Sequence, residues 1–239
     1  MRKKQDRTEE ELDLIGIPAI ADRTVAAPED IPETTVKRLP RYFRCLRELF
    51  NRDVMKVSSK ELSEYTGVSA SQLRQDLKYF GGAGQCGYGY NVKRLYSAVS
   101  ERMGVAKKYT AVMIGAGKLG RSLCESMLFE QRGIWVKGIF DASDDVIGKT
   151  VGENTVRNVS ELCGFCLENR IDIAVFCIPA ADEEELLGII RGAGIRGIWN
   201  FSPCEIAREK AGVPVVNICT GDSLMYLQYE MSKAETEKK

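Results

Sequence analysis

The chain has 239 residues, 44% of them apolar, 8% aromatic and 28% charged, enough to build one large core or two small ones. Its 34 Lys/Arg balance 34 Asp/Glu, and it contains no histidine, which excludes Ser-His and Cys-His nucleophile pairs, imidazole metal ligands and a histidine general base. No run approaches the roughly 20 apolar residues of a membrane helix, and the first residues, MRKKQDRTEEELDL, hold no apolar stretch of signal-peptide length, so the expectation is a cytoplasmic protein without a membrane partner.

Residues 1–33 carry 5 Lys/Arg against 9 Asp/Glu and break every apolar patch with charge or with Pro18, Pro28 and Pro32, which predicts a poorly ordered leader. Residues 34–100 hold 12 basic against 5 acidic side chains, net +7, whereas 101–239 hold 17 against 20, net −3. Such a cationic island points to a polyanion, because clustered Lys and Arg gain affinity by displacing counterions from phosphates. A solvated charged face is the plainer alternative.

From Val36, the residues Leu39, Phe43, Leu46 and Phe50 recur at three- and four-residue steps and predict an amphipathic helix with Arg41, Arg44 and Arg47 on its other face. Pro40 marks a start or kink there. In SSKELSEYTG, Ser58 and Glu61 have capping-box spacing, Leu62 and Tyr65 are expected inward, and Gly67 ends the helix. Ser69 then caps a second helix with Gln72 as its box partner and Ala70, Leu73, Leu77 and Phe80 as its apolar stripe. Two short capped helices around a glycine-containing turn form a helix-turn-helix pattern, although helical hairpins with no DNA role share it. On that pattern the DNA contacts fall to Arg44, Ser58, Lys60, Ser69, Ser71, Gln72, Arg74, Gln75 and Lys78. GGAGQCGYGYNV follows, too rich in glycine for a helix; it predicts a β-hairpin placed as a wing, with Tyr88 toward DNA, against the alternative of a simple connecting turn.

A helix over Val92 to about Met103 and a short polar linker lead into a different texture, in which apolar runs such as TAVMIGAG, IWVKGIFD and IDIAVFCIP alternate with helical stretches. That alternation predicts a doubly wound parallel sheet covered on both faces. Gly115-Ala116-Gly117-Lys118-Leu119-Gly120 follows the first of these strands and opens a helix, with Asp141 ending the next strand 21 residues beyond Gly120. Backbone N–H groups at such a turn meet a pyrophosphate, and the acid accepts from the adenosine ribose while repelling a 2′-phosphate, so NAD(H) is favoured over NADP(H). FAD binding or a structural turn are the alternatives. The expected division is therefore a leader at 1–33, a winged helix-turn-helix domain at 34–103, a Rossmann domain at 104–220 and a C-terminal helix and tail at 221–239.

Two patterns compete with a regulatory reading. Tyr229 and Lys233 have the spacing short-chain dehydrogenases use for proton transfer, but they fall in a helix after the last strand. Little chain remains beyond the nucleotide fold for a substrate domain, so an enzyme is not expected. Cys163 and Cys166 form a CxxC, expected to be core packing on a helix capped by Ser160, like the reduced, mostly buried thiols expected at the other cysteines (45, 86, 124, 177, 204 and 219).

Over residues 34–230 the chain resembles the Rex family of redox-sensing transcriptional repressors. The resemblance is carried by Lys37-Arg38-Leu39-Pro40, Ser58-Ser59, Glu61-Leu62, Leu73-Arg74, Asp76-Leu77, Tyr79-Phe80-Gly81, Gly87-Tyr88-Gly89-Tyr90-Asn91-Val92, the GAGKLG loop, Phe140-Asp141, Ile178-Pro179-Ala180 and Asn200-Phe201-Ser202-Pro203. It implies a homodimer on a palindromic operator in double-stranded DNA, released when NADH binds, with the C-terminal helix swapped against the partner subunit. It also implies that Ile178, Pro179, Asn200 and Phe201 line the cofactor site and that Tyr90 lies near the nicotinamide. An NAD-dependent oxidoreductase, or a nucleotide-binding scaffold without DNA affinity, are the competing functions. The chain departs from the family pattern at Gln85-Cys86 in the wing and Gln75 in the recognition helix, where basic residues are usual, and at Cys219, where an aspartate involved in switching is usual and Asp222 stands three residues on.

Overall fold

The structure is a computed structural model that describes residues 31–80, 84–85, 89–105, 107–126, 129, 133–179 and 183–237. The chain divides into two compact units, one reaching residue 107 and including 131–133, the other formed by 108–130 and 134–239.

The first unit runs α1 (Glu33–Val36), α2 (Leu39–Asn51), β1 (Lys56–Val57), α3 (Ser59–Thr66), α4 (Ala70–Asp76) with a 3-10 turn at Leu77–Phe80, β2 (Gly84–Gln85), β3 (Gly89–Asn91) and α5 (Val92–Arg102). The helix expected to start at Val36 is instead broken in two, and Val36 is 46% exposed. Pro40 explains the break: it has no N–H to give the Val36 carbonyl four residues back, and its ring crowds that carbonyl, but within the first turn of α2 the missing donor costs nothing. Leu39, Tyr42, Phe43, Leu46 and Leu49 of α2 pack with Val92, Leu95, Tyr96 and Val99 of α5 into one core. Strand β3 pairs antiparallel with both β1 and β2, giving a three-stranded sheet. Tyr65, expected inward, is 54% exposed, because the inward face of α3 is taken by Leu62 and Thr66, whose hydroxyl donates to the Leu62 carbonyl at 2.6 Å.

The second unit runs β4 (Tyr109–Ile114), α6 (Lys118–Ser126), β5 (Ile134–Asp141), β6 (Thr150–Val151), β7 (Asn154–Asn158), α7 (Leu162–Asn169), β8 (Ile173–Phe176), α8 (Glu183–Gly192), β9 (Gly197–Asn200), α9 (Arg208–Ala211), β10 (Val215–Asn217) and α10 (Thr220–Thr236). Its sheet has the order β10-β9-β8-β4-β5-β7-β6, with every pairing parallel except β6 against β7. Successive β4 residues point to opposite faces, so Val112 and Ile114 enter a core with Phe140, Leu162 and Leu187, while Met113 joins Ile139, Val156 and Phe129 on the other side. Burial on both faces is why these strands read as unbroken apolar runs.

The cap of the CxxC helix differs from expectation. Asn158, not Ser160, is the capping side chain; it accepts from the Ser160 N–H at 2.9 Å and starts a 3-10 turn ahead of α7. Cys166 is buried and Cys163 half-buried, but among the described cysteines only Cys45 and Cys166 are fully buried and Cys204 is exposed, so the expectation of buried thiols holds for part of the set. Cys86 lies outside the described residues. Burial pushes the Cys45, Cys124 and Cys166 thiols up to about 11 and Cys177 to about 12, which keeps them protonated and poorly nucleophilic near neutrality. Among the described residues no helix is long and apolar enough to cross a membrane, and no cluster of Cys, Asp and Glu could hold a metal ion.

Candidate functional site

The second unit places its crevice where the strand order reverses, between β4 and β8. The chain leaves β4 through Gly115, whose N–H donates to the Phe140 carbonyl at 2.8 Å and whose φ is +102°. A Cβ at Gly115 would overlap the Cys177 carbonyl of the neighbouring strand, and one at Gly120 would overlap the Gly115 carbonyl itself. The loop is thus clamped between α6 and β8 with no room for side chains, while Gly117 at its tip is exposed and open.

Asp141, at the end of β5, reaches back to this loop. One carboxylate oxygen accepts from the Ala116 N–H at 2.6 Å, the other from the Ser143 N–H at 2.8 Å. Each oxygen keeps a lone pair for a ribose hydroxyl, and the negative charge faces any phosphate carried on that ribose. The crevice encloses about 750 Å3 and runs from Asp141 and Ser143 past Gly115, Gly117 and Leu119 to Ile178, Pro179, Phe201 and Pro203. Apolar walls around a few polar groups, with a bare backbone turn in the middle, suit an unsubstituted adenosine dinucleotide in its pyrophosphate and ribose chemistry.

Of the residues expected at this site, Gly115, Gly117, Leu119, Asp141, Ile178, Pro179 and Phe201 line the crevice. Ala116 is buried and contributes its N–H to Asp141, Gly120 serves packing, and the Lys118 side chain is exposed without lining the crevice. Asn200 does not line it either: it is buried, and its amide is spent inside the protein on Cys204, Asn217 and Ser202. Tyr90 belongs to the first unit, where it pairs with Val57 and packs half-buried on that core. Ala142, Ser143, Val146, Ser160, Cys177 and Glu185 line the crevice without having been expected there, because only the folded loops bring them to it. Tyr229 is 63% exposed on α10 and is not part of the lining.

In the first unit α4 is anchored to α1 and α2 through Asp76. Its carboxylate is 1% exposed and accepts from Thr35 Oγ1 at 3.0 Å, Arg38 Nε at 2.7 Å, Arg38 Nη2 at 2.8 Å, the Tyr42 hydroxyl at 2.5 Å and Gln72 Nε2 at 2.9 Å. Burial alone would raise this carboxyl, but the bonds from Arg38, Tyr42, Gln72 and Thr35 outweigh it and hold it down at about 2. Three helices, α1, α2 and α4, are locked through one ionised side chain.

This hub also moves one expected contact. Gln72, expected both in a reciprocal capping box and on the outer face, turns its amide to Asp76, so Ser69 accepts from the Gln72 N–H at 3.3 Å without a returned bond. Ser58 and Glu61 do form the full box. Ser71, Arg74, Gln75 and Lys78 stand exposed along α4 and its 3-10 extension, with Lys60 on α3 and Arg44 on α2 also exposed. Arg74 Nη1 donates to Ser59 Oγ at 3.0 Å, which orients its guanidinium across the helix pair. Tyr88 lies outside the described residues.

Two family models match the chain: "Putative DNA-binding protein N-terminus" over residues 30–78 and "CoA binding domain" over residues 106–204. The chain is 43% identical over 204 residues to the redox-sensing transcriptional repressor Rex of Caldanaerobacter subterraneus subsp. tengcongensis, covering 85% of this chain and 91% of that protein. It is 41% identical over 207 residues to the protein of the same description from Clostridioides difficile strain 630, covering 87% and 98%. Among solved structures, RSP in complex with β-NAD+ and operator DNA matches with a TM-score of 0.79 at 39% identity, covering 88% of this chain and 97% of that one. RSP in complex with β-NADH matches with a TM-score of 0.78 at 37% identity, covering 88% and 99%. The description of the second family model names coenzyme A, but coenzyme A carries a phosphate on its adenosine ribose, where Asp141 sets a negative charge; the crevice suits NAD(H) better.

Proposed function

The chain belongs to the Rex family of redox-sensing transcriptional repressors, and from that premise we propose how its two units share the work. The protein is a DNA-binding repressor that reads the NADH/NAD+ balance: the first unit docks its α4 face in the major groove, and the second unit binds NAD(H) in the crevice. The observation that carries this reading is the pairing, in one chain, of a helix pair with an exposed Ser71, Arg74, Gln75 and Lys78 face and a switch-point crevice whose acid bonds the glycine loop.

NAD+ and NADH share their adenosine and pyrophosphate groups, so only the nicotinamide end can supply different free energies to two protein states. In this sheet that end falls beyond β8, toward Ile178, Pro179 and Phe201. A hundredfold preference there corresponds to about 2.7 kcal/mol, within the range of one aromatic contact and one charge difference. The bound nucleotide supplies the redox-dependent charge; the protein's residues orient it and exclude water.

A second copy of the chain completes the assembly in this reading. Leu224, Met225, Tyr226, Leu227, Tyr229 and Met231 are each more than half exposed and lie on all sides of α10, apolar surface that a partner subunit would enclose, and two-fold pairing matches a palindromic site. Sedimentation at micromolar concentration should show a dimer, and Leu227→Glu with Met231→Glu should shift it toward monomer.

The decisive measurement titrates a fluorescent palindromic duplex with the protein, alone and with each nucleotide. NADH should weaken binding at least tenfold relative to NAD+, and binding should tighten steeply as salt falls. Equal affinity with both nucleotides and with neither would end the reading, and steady oxidation of NADH by a small carbonyl compound would favour an oxidoreductase. Arg74→Glu with Lys78→Glu should cost at least a hundredfold in duplex affinity and leave NADH affinity unchanged. Asp141→Asn should weaken NADH about tenfold and narrow its advantage over NADPH, read by nucleotide fluorescence.

A further inference from the structure

Strands β9 and β10 end side by side on two asparagines, Asn200 and Asn217, which are directly opposite in the parallel register. Asn200 Nδ2 donates to Asn217 Oδ1 at 2.8 Å and to the Cys204 carbonyl at 2.8 Å, while its Oδ1 accepts from the Ser202 N–H at 2.9 Å. Asn217 Oδ1 also accepts from the Ile206 N–H at 3.0 Å, and its Nδ2 donates to the Ile206 carbonyl at 3.2 Å. The two amides thereby tie the loop 201–206 to both strand ends. Asn200 is 1% exposed, so each of these bonds is costly to leave unmade.

The loop faces two ways. On one side Phe201 and Pro203 line the crevice at its nicotinamide end, and the Phe201 N–H donates to the Phe176 carbonyl at 2.8 Å. On the other side it touches the root of α10: the Ile218 N–H donates to the Asn200 carbonyl at 2.8 Å, and the Cys219 thiol, at the N-cap of α10, lies 3.5 Å from Glu205 Oε1. Asn217 is two residues from that cap. Displacement of Phe201 or Pro203 therefore cannot be absorbed inside the loop, because all three of Ser202, Cys204 and Ile206 are held by the paired amides.

We infer that the Asn200–Asn217 pair is a positioning device that carries the occupancy of the crevice into the direction of α10, the helix whose exposed apolar side chains a second copy would cover. Asn200 is thus a transmitter of the nucleotide's state and not a ligand of the nucleotide. This rests on the NADH-responsive reading above. Asn217 is the residue to test, since it neither lines the crevice nor lies on α10.

The test compares wild type, Asn217→Ala and Asn217→Asp. NADH affinity is read by energy transfer from Trp199, whose ring packs at 4.7 Å from Phe201; duplex affinity is read with and without saturating NADH, using a palindrome selected by the wild type from a random-sequence library. In Asn217→Ala, NADH affinity and nucleotide-free duplex affinity should stay within about threefold of wild type, while the NADH-induced weakening of duplex binding should fall at least tenfold. Asn217→Asp keeps the acceptor for Asn200 and Ile206 and should retain most of the response. A full NADH response in Asn217→Ala overturns the inference. Hydrogen exchange on the wild type decides it without any variant: NADH should change protection at the Ile206 and Ile218 amides together, and a change at neither overturns it even if Asn217→Ala does not fold. A wild type whose duplex affinity ignores NADH would instead overturn the reading on which the inference rests.

Discussion

Asp76→Ala should abolish duplex binding and lower the melting temperature of the first unit by about 15 °C, with NADH affinity of the second unit unchanged. The variant leaves Arg38, Tyr42, Thr35 and Gln72 without the acceptor they share, and removing one partner of a buried ion pair costs about 3 to 5 kcal/mol. Asp76→Asn keeps the shape but not the charge and should recover only part of this. The same carboxyl sets an acid dependence. Held at about 2 when folded and near 3.8 when unfolded, it stabilises the first unit fully above pH 4 and loses that contribution, about 2 kcal/mol, as pH falls from 4 to 2. The wild-type unit should therefore lose more stability than Asp76→Asn between pH 5 and pH 3 in thermal melts. Equal losses would show that the hub is not ionised.

Gly120→Ala should destabilise the second unit and cut NADH affinity at least a hundredfold, about 2.7 kcal/mol. The added methyl would overlap the Gly115 carbonyl, which is backbone and cannot swing aside, so α6 must retreat from β4 and the loop must open. Gly117→Ala is the informative contrast. Its Cβ would meet nothing within 4 Å, so the melting temperature should hold, yet the methyl would stand on the exposed tip where a pyrophosphate approaches the backbone, and NADH affinity should drop about tenfold. Calorimetric melts with fluorescence titration separate the two effects. Wild-type NADH affinity in Gly120→Ala would mean that the close packing of this turn does not shape the site.

Local signals placed the helix pair and the glycine loop well because each is built from residues near one another in sequence. Ser58 and Glu61 form their box within one turn, and Gly115 and Gly120 serve the same strand-to-helix junction. The misses come from hydrogen-bond choices that apolarity and cap spacing do not display, some made within one helical turn and some across the fold. Gln72 read as an outward partner of Ser69 until Asp76 claimed its amide, and Asp76 itself carried no local sign of being a hub, because Thr35, Arg38 and Tyr42 lie 34 to 41 residues away. Tyr65 was misplaced because its stripe was drawn from apolarity, whereas Thr66 hides its hydroxyl in the helix backbone and takes the inward position.

By itself the amino-acid sequence determined two things: a cationic capped helix pair ahead of an α/β unit, and a glycine turn followed by an acid at ribose distance. Both are short-range matters of spacing, charge and backbone freedom. Tertiary structure alone decided which polar side chains remain available. Asn200, Asn217 and Asp76 spend hydrogen bonds on partners distant in the chain that only folding brings within reach, and a buried polar group is committed to whichever partner the packing delivers.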